Sequence, residues 1–195
     1  TEWVEQFNLQ GARLAKEVAS ACKERKIHVA GSIGPTDKSL TLSPDPDQPA
    51  YRIVNFDTLA DAYATQVSAL IEGGVDLLLV ETIYDGLNAK AALYAISKVQ
   101  EEKGTNLPVM LSVTVNDKSG RTLTGQSLDA LFTSLSHYPI LSFGLNCSFG
   151  ARELHQFIRE LAPHVPCNIS IYPNAGLPNE MGEYDESPEF TALCL

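Results

Sequence analysis

The sequence predicts an α/β fold in which parallel β-strands alternate with α-helices. Helical segments alternate with short apolar runs rich in β-branched residues, at a repeat of about 30 residues, which is the size of a βα unit. The runs are continuously apolar, with no regular alternation of polar residues, and this is typical of parallel strands that are covered on both faces. These two observations carry the prediction.

The first elements are a helix, a strand and a loop. Residues 4–26 predict an amphipathic helix, because small or apolar side chains recur every three or four residues: Phe7, Gly11, Leu14, Val18 and Cys22. The run IHVAGSI then predicts a short buried strand that stops at Gly34-Pro35. Residues 36–51 contain three prolines, too many for the interior of a helix or strand, and so predict a surface loop.

Four more strands follow, each after a helix. The predicted helices span 56–73, 85–103, 127–137 and 151–162, and the predicted strands span 75–82, 107–115, 139–147 and 166–172. Residues 189–195 predict the start of another helix. Five such units fit either a doubly wound open sheet or part of a (βα)8 barrel. A barrel takes about 250 residues, and a chain that opens on one helix and stops within another favours a barrel segment.

Composition excludes several classes of protein. Hydrophobic residues make up 44% of the chain and charged residues 19%, which supplies the apolar surface that a folded core requires. The formal net charge of -10 and the lack of a basic stripe argue against nucleic acid and anionic membranes as partners. No apolar run approaches the ~20 residues that cross a bilayer. Four scattered cysteines predict a reducing compartment, by default the cytoplasm.

Polar residues gather where the predicted strands end. In both architectures ligands bind at the carboxyl ends of the strands, so we expect these side chains to share one mouth. In strand order they are Ser32 and Gly34-Pro35; Glu81, Thr82 and Asp85; Thr114, Asn116 and Asp117; Asn146 and Cys147; Tyr172, Asn174 and Gly176.

Cys147 is the most suggestive of these residues. A thiolate at a strand end could hold a metal or a substrate, although cysteine is also common as a small buried hydrophobe. A nucleophilic cysteine would need a histidine base nearby. The four histidines fall at strand starts or on helices, which argues against that role.

Glu81 and Asn174 are the next candidates. Glu81 ends an apolar run, where a carboxylate needs a partner, either a ligand amine or backbone amides of the next loop. Asn174 heads residues 173–184, whose two prolines and two glycines suit either a rigid loop that presents an amide or an inert turn.

Several segments together resemble a known family. Four segments are similar to the homocysteine-binding module of cobalamin-dependent methionine synthases, a group of homocysteine S-methyltransferases: GLNCSFGARELHQFI, PNAGLPNEMGEYDESP, LVETIYDGLNAKAAL and SVTVNDKSGRTLTGQ. A fifth, VAGSIGPTDKSLTLSPD, fits the next loop of that module. The segments occur in the family's order along nearly the whole chain. The resemblance is therefore more specific than any one motif.

The resemblance implies an incomplete (βα)8 TIM barrel, with residues 1–195 holding about five of eight parallel strands and lacking the first two and the last. It also implies a zinc ion bound by three cysteines. Cys147 matches the first cysteine, and the other two belong to a Gly-Gly-Cys-Cys-Gly segment that the sequence lacks, so we expect the fragment alone to bind zinc poorly and to be inactive. Glu81 resembles the acid that receives the homocysteine amino group, Asn174 the amide near the metal, and Asn146 a support of the metal loop at the substrate site.

The implied activity is methyl transfer to homocysteine, giving methionine. Zinc would activate the homocysteine thiol, and methylcobalamin on a separate module of the same enzyme would donate the methyl group. Methyltetrahydrofolate on a folate-binding module would then remethylate the cobalamin. Two alternatives stay open: a homocysteine methyltransferase with another methyl donor, and a non-catalytic small-molecule-binding α/β module.

Overall fold

The computed structural model describes residues 2–195 and contains one five-stranded parallel sheet. Its strands are β1 (Ala30–Ile33), β2 (Leu77–Ile83), β3 (Val109–Val113), β4 (Ser142–Gly150) and β5 (Asn168–Asn174). The order across the sheet is β1-β2-β3-β4-β5. A doubly wound sheet reverses its order at a switch point, whereas barrel strands follow the chain. The order therefore decides between the two predicted architectures, and the prediction of a partial TIM barrel is confirmed.

Helices alternate with the strands as predicted. They are α1 (Glu2–Ala21), α2 (Phe56–Glu72), α3 (Gly86–Lys103), α4 (Leu128–Leu135), α5 (Ala151–Leu161) and α6 (Pro188–Cys194). A 3-10 turn, Ala162–His164, follows α5. Among the residues described, no helix is both long enough and apolar enough to cross a membrane.

The chain divides into two compact units, of which the first comprises residues 2–80 and 87–110. Here β1 pairs in parallel with β2, from Ala30 opposite Leu77 to Ile33 opposite Val80. Helix α1 lies close to the end of α2, since a Cβ placed on Gly73 would be 2.3 Å from the Cβ of Ala12. Small residues at this crossing let the two helix backbones approach.

An ion pair and a backbone hydrogen bond join α1 to the start of both strands of this unit. The Lys16 ammonium lies 2.8 Å from Oδ1 of Asp76, and the Val29 backbone N–H donates to Oδ2 at 2.7 Å. The hydrogen bond from Lys16, then that from Val29, holds the pKa of the Asp76 carboxyl below its usual value. Asp76 therefore fixes the point at which the chain enters the sheet.

The apolar stripe that predicts α1 is not the side of the helix that is buried. Phe7 is 69% exposed and Val18 73%, whereas Ala12 is 5% exposed and Ala19 9%. The helix also ends at Ala21 instead of residue 26. The loop over 36–51 is confirmed as irregular.

The second unit comprises residues 81–86 and 111–195. Strands β4 and β5 pair in parallel from Ser142 opposite Asn168. They come unusually close at Gly144, where an added Cβ would lie 1.6 Å from the Ser170 carbonyl oxygen, so no other residue fits there without moving the backbone. The core between strand and helix contains an edge-on contact of Phe132 and Phe143, with ring centroids 5.2 Å apart.

Candidate functional site

The side chain of Asn146 joins the ends of three strands in the second unit. Its Oδ1 accepts hydrogen bonds from the Thr82 backbone N–H (3.1 Å) and the Ser112 hydroxyl (2.6 Å). Its Nδ2 donates to Oγ1 of Thr82 (3.0 Å) and to Sγ of Cys147 (3.1 Å). An asparagine amide can donate two hydrogen bonds and accept two, so the hydrogen-bonding capacity of this buried side chain is fully used.

Cys147 is exposed at the carboxyl end of β4. The reading of this residue as a small buried hydrophobe is therefore wrong, because its side chain meets solvent and the Asn146 amide instead of the core. The structure places Asn146 behind Cys147, which favours support of the cysteine. A direct contact of Asn146 with substrate stays a prediction.

Three residues around Asn146 have left-handed backbones. The φ angles are +55° at Thr82, +59° at Cys147 and +66° at Ser148. Positive φ is uncommon outside glycine and is a genuine outlier for a β-branched residue; such conformations cost on the order of 1–3 kcal/mol each and concentrate at functional sites. No sequence pattern signals this strain, since threonine disfavours the conformation.

The strain at Cys147 and Ser148 accompanies a break in the pairing of β4 with β5. The register shifts between Asn146 and Gly150, which is how a bulge re-aims side chains at the end of a strand. The Ser148 hydroxyl donates to the Val115 carbonyl at 2.6 Å and lies 2.7 Å from Oγ1 of Thr114. Because a hydroxyl has one hydrogen, Thr114 is the donor in the second bond. The turn is thus tied to the end of β3.

A cavity of about 490 Å³ opens beside this turn. Its wall combines hydroxyl and amide groups with aromatic and aliphatic side chains: Tyr84, Thr114, Val115, Asn116, Leu123, Ser148 and Phe149. A concave wall that combines polar groups with apolar side chains can hold a small molecule.

The other predicted site residues of this unit lie towards the carboxyl ends of two further strands, β2 and β5. Glu81 is half-buried in β2, directly before the strained Thr82, and Asn174 is half-buried at the end of β5, opposite Gly150. The predicted candidates of β1, Ser32 and Gly34, lie in the first unit.

Sequence reasoning missed Glu186, which lies against the same turn. A Cβ on Gly150 would be 2.7 Å from Oε1 of Glu186, and a Cβ on Gly176 would be 3.0 Å from its Cγ. Oε2 of Glu186 is buried with no hydrogen-bond partner among the described residues. The loop after β5 therefore packs directly on the Cys147–Gly150 turn, a contact that becomes visible only with coordinates.

A sequence model of one family, homocysteine S-methyltransferase, matches residues 1–194. The chain belongs to the homocysteine S-methyltransferase family. The match covers both units and every strand end described above. The resemblance that the four quoted segments carry is thereby confirmed at the level of the family.

Solved structures agree with this homocysteine S-methyltransferase assignment at the level of the fold. The apo form of the homocysteine methyltransferase MmuM from Escherichia coli is 20% identical, with a TM-score of 0.70 over 96% of this chain and 64% of that one. Its metallated form gives 20% identity and a TM-score of 0.69, over 96% of this chain and 62% of that one. The chain thus spans less than two thirds of either structure.

The same fold recurs in a protein with a different described activity. A putative phosphonomutase from Burkholderia cenocepacia J2315 is 11% identical, with a TM-score of 0.56 over 97% of this chain and 67% of that one. Fold alone therefore does not decide the chemistry, and the family match carries the assignment.

A homocysteine S-methyltransferase with a zinc centre needs three protein ligands and one open position. Among residues 2–195, no group of three His, Cys, Asp or Glu side chains could hold a metal ion. Cys147 is the candidate ligand; Cys22, Cys167 and Cys194 are half-buried free thiols, and burial raises the pKa of the Cys167 thiol. The described residues by themselves do not fit a zinc site, so no reaction step is derived through zinc.

Proposed function

We propose that this chain forms the homocysteine-binding site of a methyltransferase that makes methionine. The observation that supports the proposal best is the turn at Cys147. Its thiol is exposed on a strained backbone, and the side-chain amide of Asn146, whose hydrogen bonds are all made, donates to Sγ. A strained, solvent-facing cysteine is poorly explained by stability alone, because strain of this kind lowers stability.

Glu81 would bind the ammonium group of homocysteine. Its carboxylate is half-buried in β2, next to Thr82, which contacts Asn146 through both its backbone and its hydroxyl. The support for this role is the resemblance of Glu81, in the segment LVETIYDGLNAKAAL, to the acid that receives the homocysteine amino group in the family. Asn174, at the end of β5 and opposite Gly150 of β4, would present its amide beside the sulfur.

Cys147 would serve as one ligand of a zinc ion, with the remaining ligands supplied by residues other than those described. Zinc, when bound, lowers the pKa of a coordinated thiol so that the thiolate predominates near neutral pH. The part played by this chain would be to hold Sγ of Cys147 in place and to bind the amino acid end of the substrate.

Methylcobalamin is the proposed methyl donor, carried with a folate-binding site on other modules of the same enzyme. The support is the close similarity of the four strand-end segments to cobalamin-dependent methionine synthases. A donor panel with the enzyme that contains this chain tests it: methionine should form with methylcobalamin and not with a sulfonium or quaternary ammonium donor. The reverse pattern would assign another branch of the family.

Substrate binding is tested by titrating the 15N-labelled chain with L-homocysteine and following its backbone amide resonances. We expect shifts centred on Glu81, Cys147 and Asn174. The Glu81→Gln variant should bind about tenfold more weakly, because a charge-assisted hydrogen bond contributes about 1.5 kcal/mol.

Glu102→Gln, on the exposed end of α3, is the matched control and should bind as the wild type does. Equal affinity of the Glu81 and Glu102 variants would remove Glu81 from the site. Absence of any shift up to the solubility limit of homocysteine would favour the alternative of a module for some other small molecule.

A further inference from the structure

The Asn146 amide is oriented by a backbone N–H of β2 and held by a hydroxyl of β3. The Thr82 backbone N–H can only donate, so the Asn146 atom that faces it has to be the oxygen. The Ser112 hydroxyl, on a side chain that is 1% exposed, reaches the same oxygen. Since Oδ1 already faces these two donors, Nδ2 is directed towards Sγ of Cys147.

A rotated amide would meet an immediate penalty. If the oxygen and nitrogen of Asn146 exchanged places, the NH₂ group would face the Thr82 N–H, donor against donor, and the oxygen would face Sγ of Cys147. A buried donor without an acceptor is unfavourable. The two orientations therefore differ in energy because of the Thr82 N–H, and not because of Cys147 itself. The Ser112 hydroxyl can donate or accept, so it adds a second hydrogen bond that holds the amide in place.

Thr82 contacts both ends of the amide. Its N–H meets Oδ1, and its Oγ1 accepts from Nδ2 at 3.0 Å. This two-point contact occurs at a residue with a φ angle of +55°, so the strained backbone of β2 and the orientation of the amide belong to one arrangement.

We propose that Thr82 and Ser112 are positioning residues for Cys147. They act through Asn146, by fixing its amide so that an N–H is presented to Sγ and the thiol is held in one place on the bulged end of β4. This role deepens the proposed function and rests on it, because positioning of Cys147 serves catalysis only if the cysteine binds the metal. Its geometry involves neither homocysteine nor a methyl donor.

The experiment follows the side-chain NH₂ resonances of Asn146 in the 15N-labelled chain, without metal or substrate. In the wild type these protons should exchange slowly with solvent, and their shifts should move in the Cys147→Ala variant. Ser112→Ala should accelerate exchange about fivefold, the factor that corresponds to about 1 kcal/mol, and should abolish the response to Cys147→Ala.

Substitutions at Thr82 separate the hydroxyl from the rest of the side chain. Thr82→Val should lose the slow exchange of the Asn146 NH₂ protons, whereas Thr82→Ser, which keeps the hydroxyl, should retain it. Wild-type exchange in both Ser112→Ala and Thr82→Val would overturn the proposal, and so would equal loss in Thr82→Ser and Thr82→Val.

Ser142→Ala is the matched control for Ser112→Ala. Ser142 is also a buried serine on a strand, at the opposite end of β4, where its hydroxyl lies 3.4 Å from that of Ser170. The control should leave the Asn146 resonances unchanged; the same acceleration in Ser142→Ala would show general loosening of the sheet and contradict the proposal. Failure of homocysteine to bind, with the amide results as expected, would overturn the proposed function alone.

Discussion

Replacement of Asn146 with alanine should destabilise the chain by about 3 kcal/mol. The substitution removes four hydrogen bonds and leaves the Thr82 N–H and the Ser112 hydroxyl without their acceptor. A buried polar group left unpaired costs roughly 1–3 kcal/mol. Relaxation of the strained Thr82 backbone would return on the order of 1 kcal/mol, and the predicted value allows for this gain.

A loss of this size is large beside the roughly 5–15 kcal/mol that stabilises a typical domain. Urea denaturation followed by far-ultraviolet circular dichroism measures it, and the slope of the transition should be unchanged if the native fold is kept. Asn168→Ala is the matched control, because the exposed Asn168 makes one side-chain hydrogen bond, to the Leu141 carbonyl at 2.9 Å.

Asn168→Ala should cost less than about 1 kcal/mol, the net value of one ordinary hydrogen bond. The contrary result would be an Asn146→Ala variant within about 1 kcal/mol of the wild type, or an equal loss of stability in the two asparagine variants. Either result would mean that the amide does not hold the three strand ends together.

Two further predictions concern stability elsewhere in the chain. Asp76→Asn should cost about 1–2 kcal/mol at neutral pH, since it weakens the bonds from Lys16 and Val29. Because these bonds lower the pKa of Asp76 in the folded chain below its ordinary value of 3.8, their contribution is fully present above that value and is lost as pH falls through the lowered pKa. The difference between Asp76→Asn and the wild type should therefore close in acid, and a difference independent of pH would exclude the ion pair as its cause. Gly144→Ala should cost more than about 3 kcal/mol, because its Cβ would overlap the Ser170 carbonyl; a melting temperature like that of the wild type would show that β4 and β5 can separate without cost.

The sequence predicts the alternation of helices and strands because that pattern is local. A continuous apolar run such as that of β2 has to be covered on both faces, whichever neighbours cover it. The boundaries move where tertiary contacts take over: β4 continues to Gly150, past the predicted end at residue 147, because the bulge lets pairing with Asn174 resume.

The site is predicted only in part, for the same reason. Cys147, Glu81 and Asn174 stand out because each follows or ends a strand. Ser112 gives no such signal, because its bond to Asn146 joins residues 34 positions apart, and the left-handed backbone of Thr82 runs against its own residue type. Long-range partners and backbone strain are set by the assembled fold and leave no local pattern.

For helix α1 the local pattern predicts the helix correctly but predicts the wrong face of it as buried. The apolar spacing of Phe7, Leu14 and Val18 does mark a helix, and all three side chains are exposed. Ala12 and Ala19 are buried instead, because small side chains allow the close approach of α2.

The proposed role of Cys147 is to hold the zinc ion that would activate homocysteine in the enzyme that contains this chain. The most direct measurement is the zinc content and rate of methionine formation of its Cys147→Ser variant, beside Cys167→Ser from the same unit. We expect Cys147→Ser to lose both bound zinc and methyl transfer while Cys167→Ser keeps both. Full zinc and full activity in Cys147→Ser would contradict it.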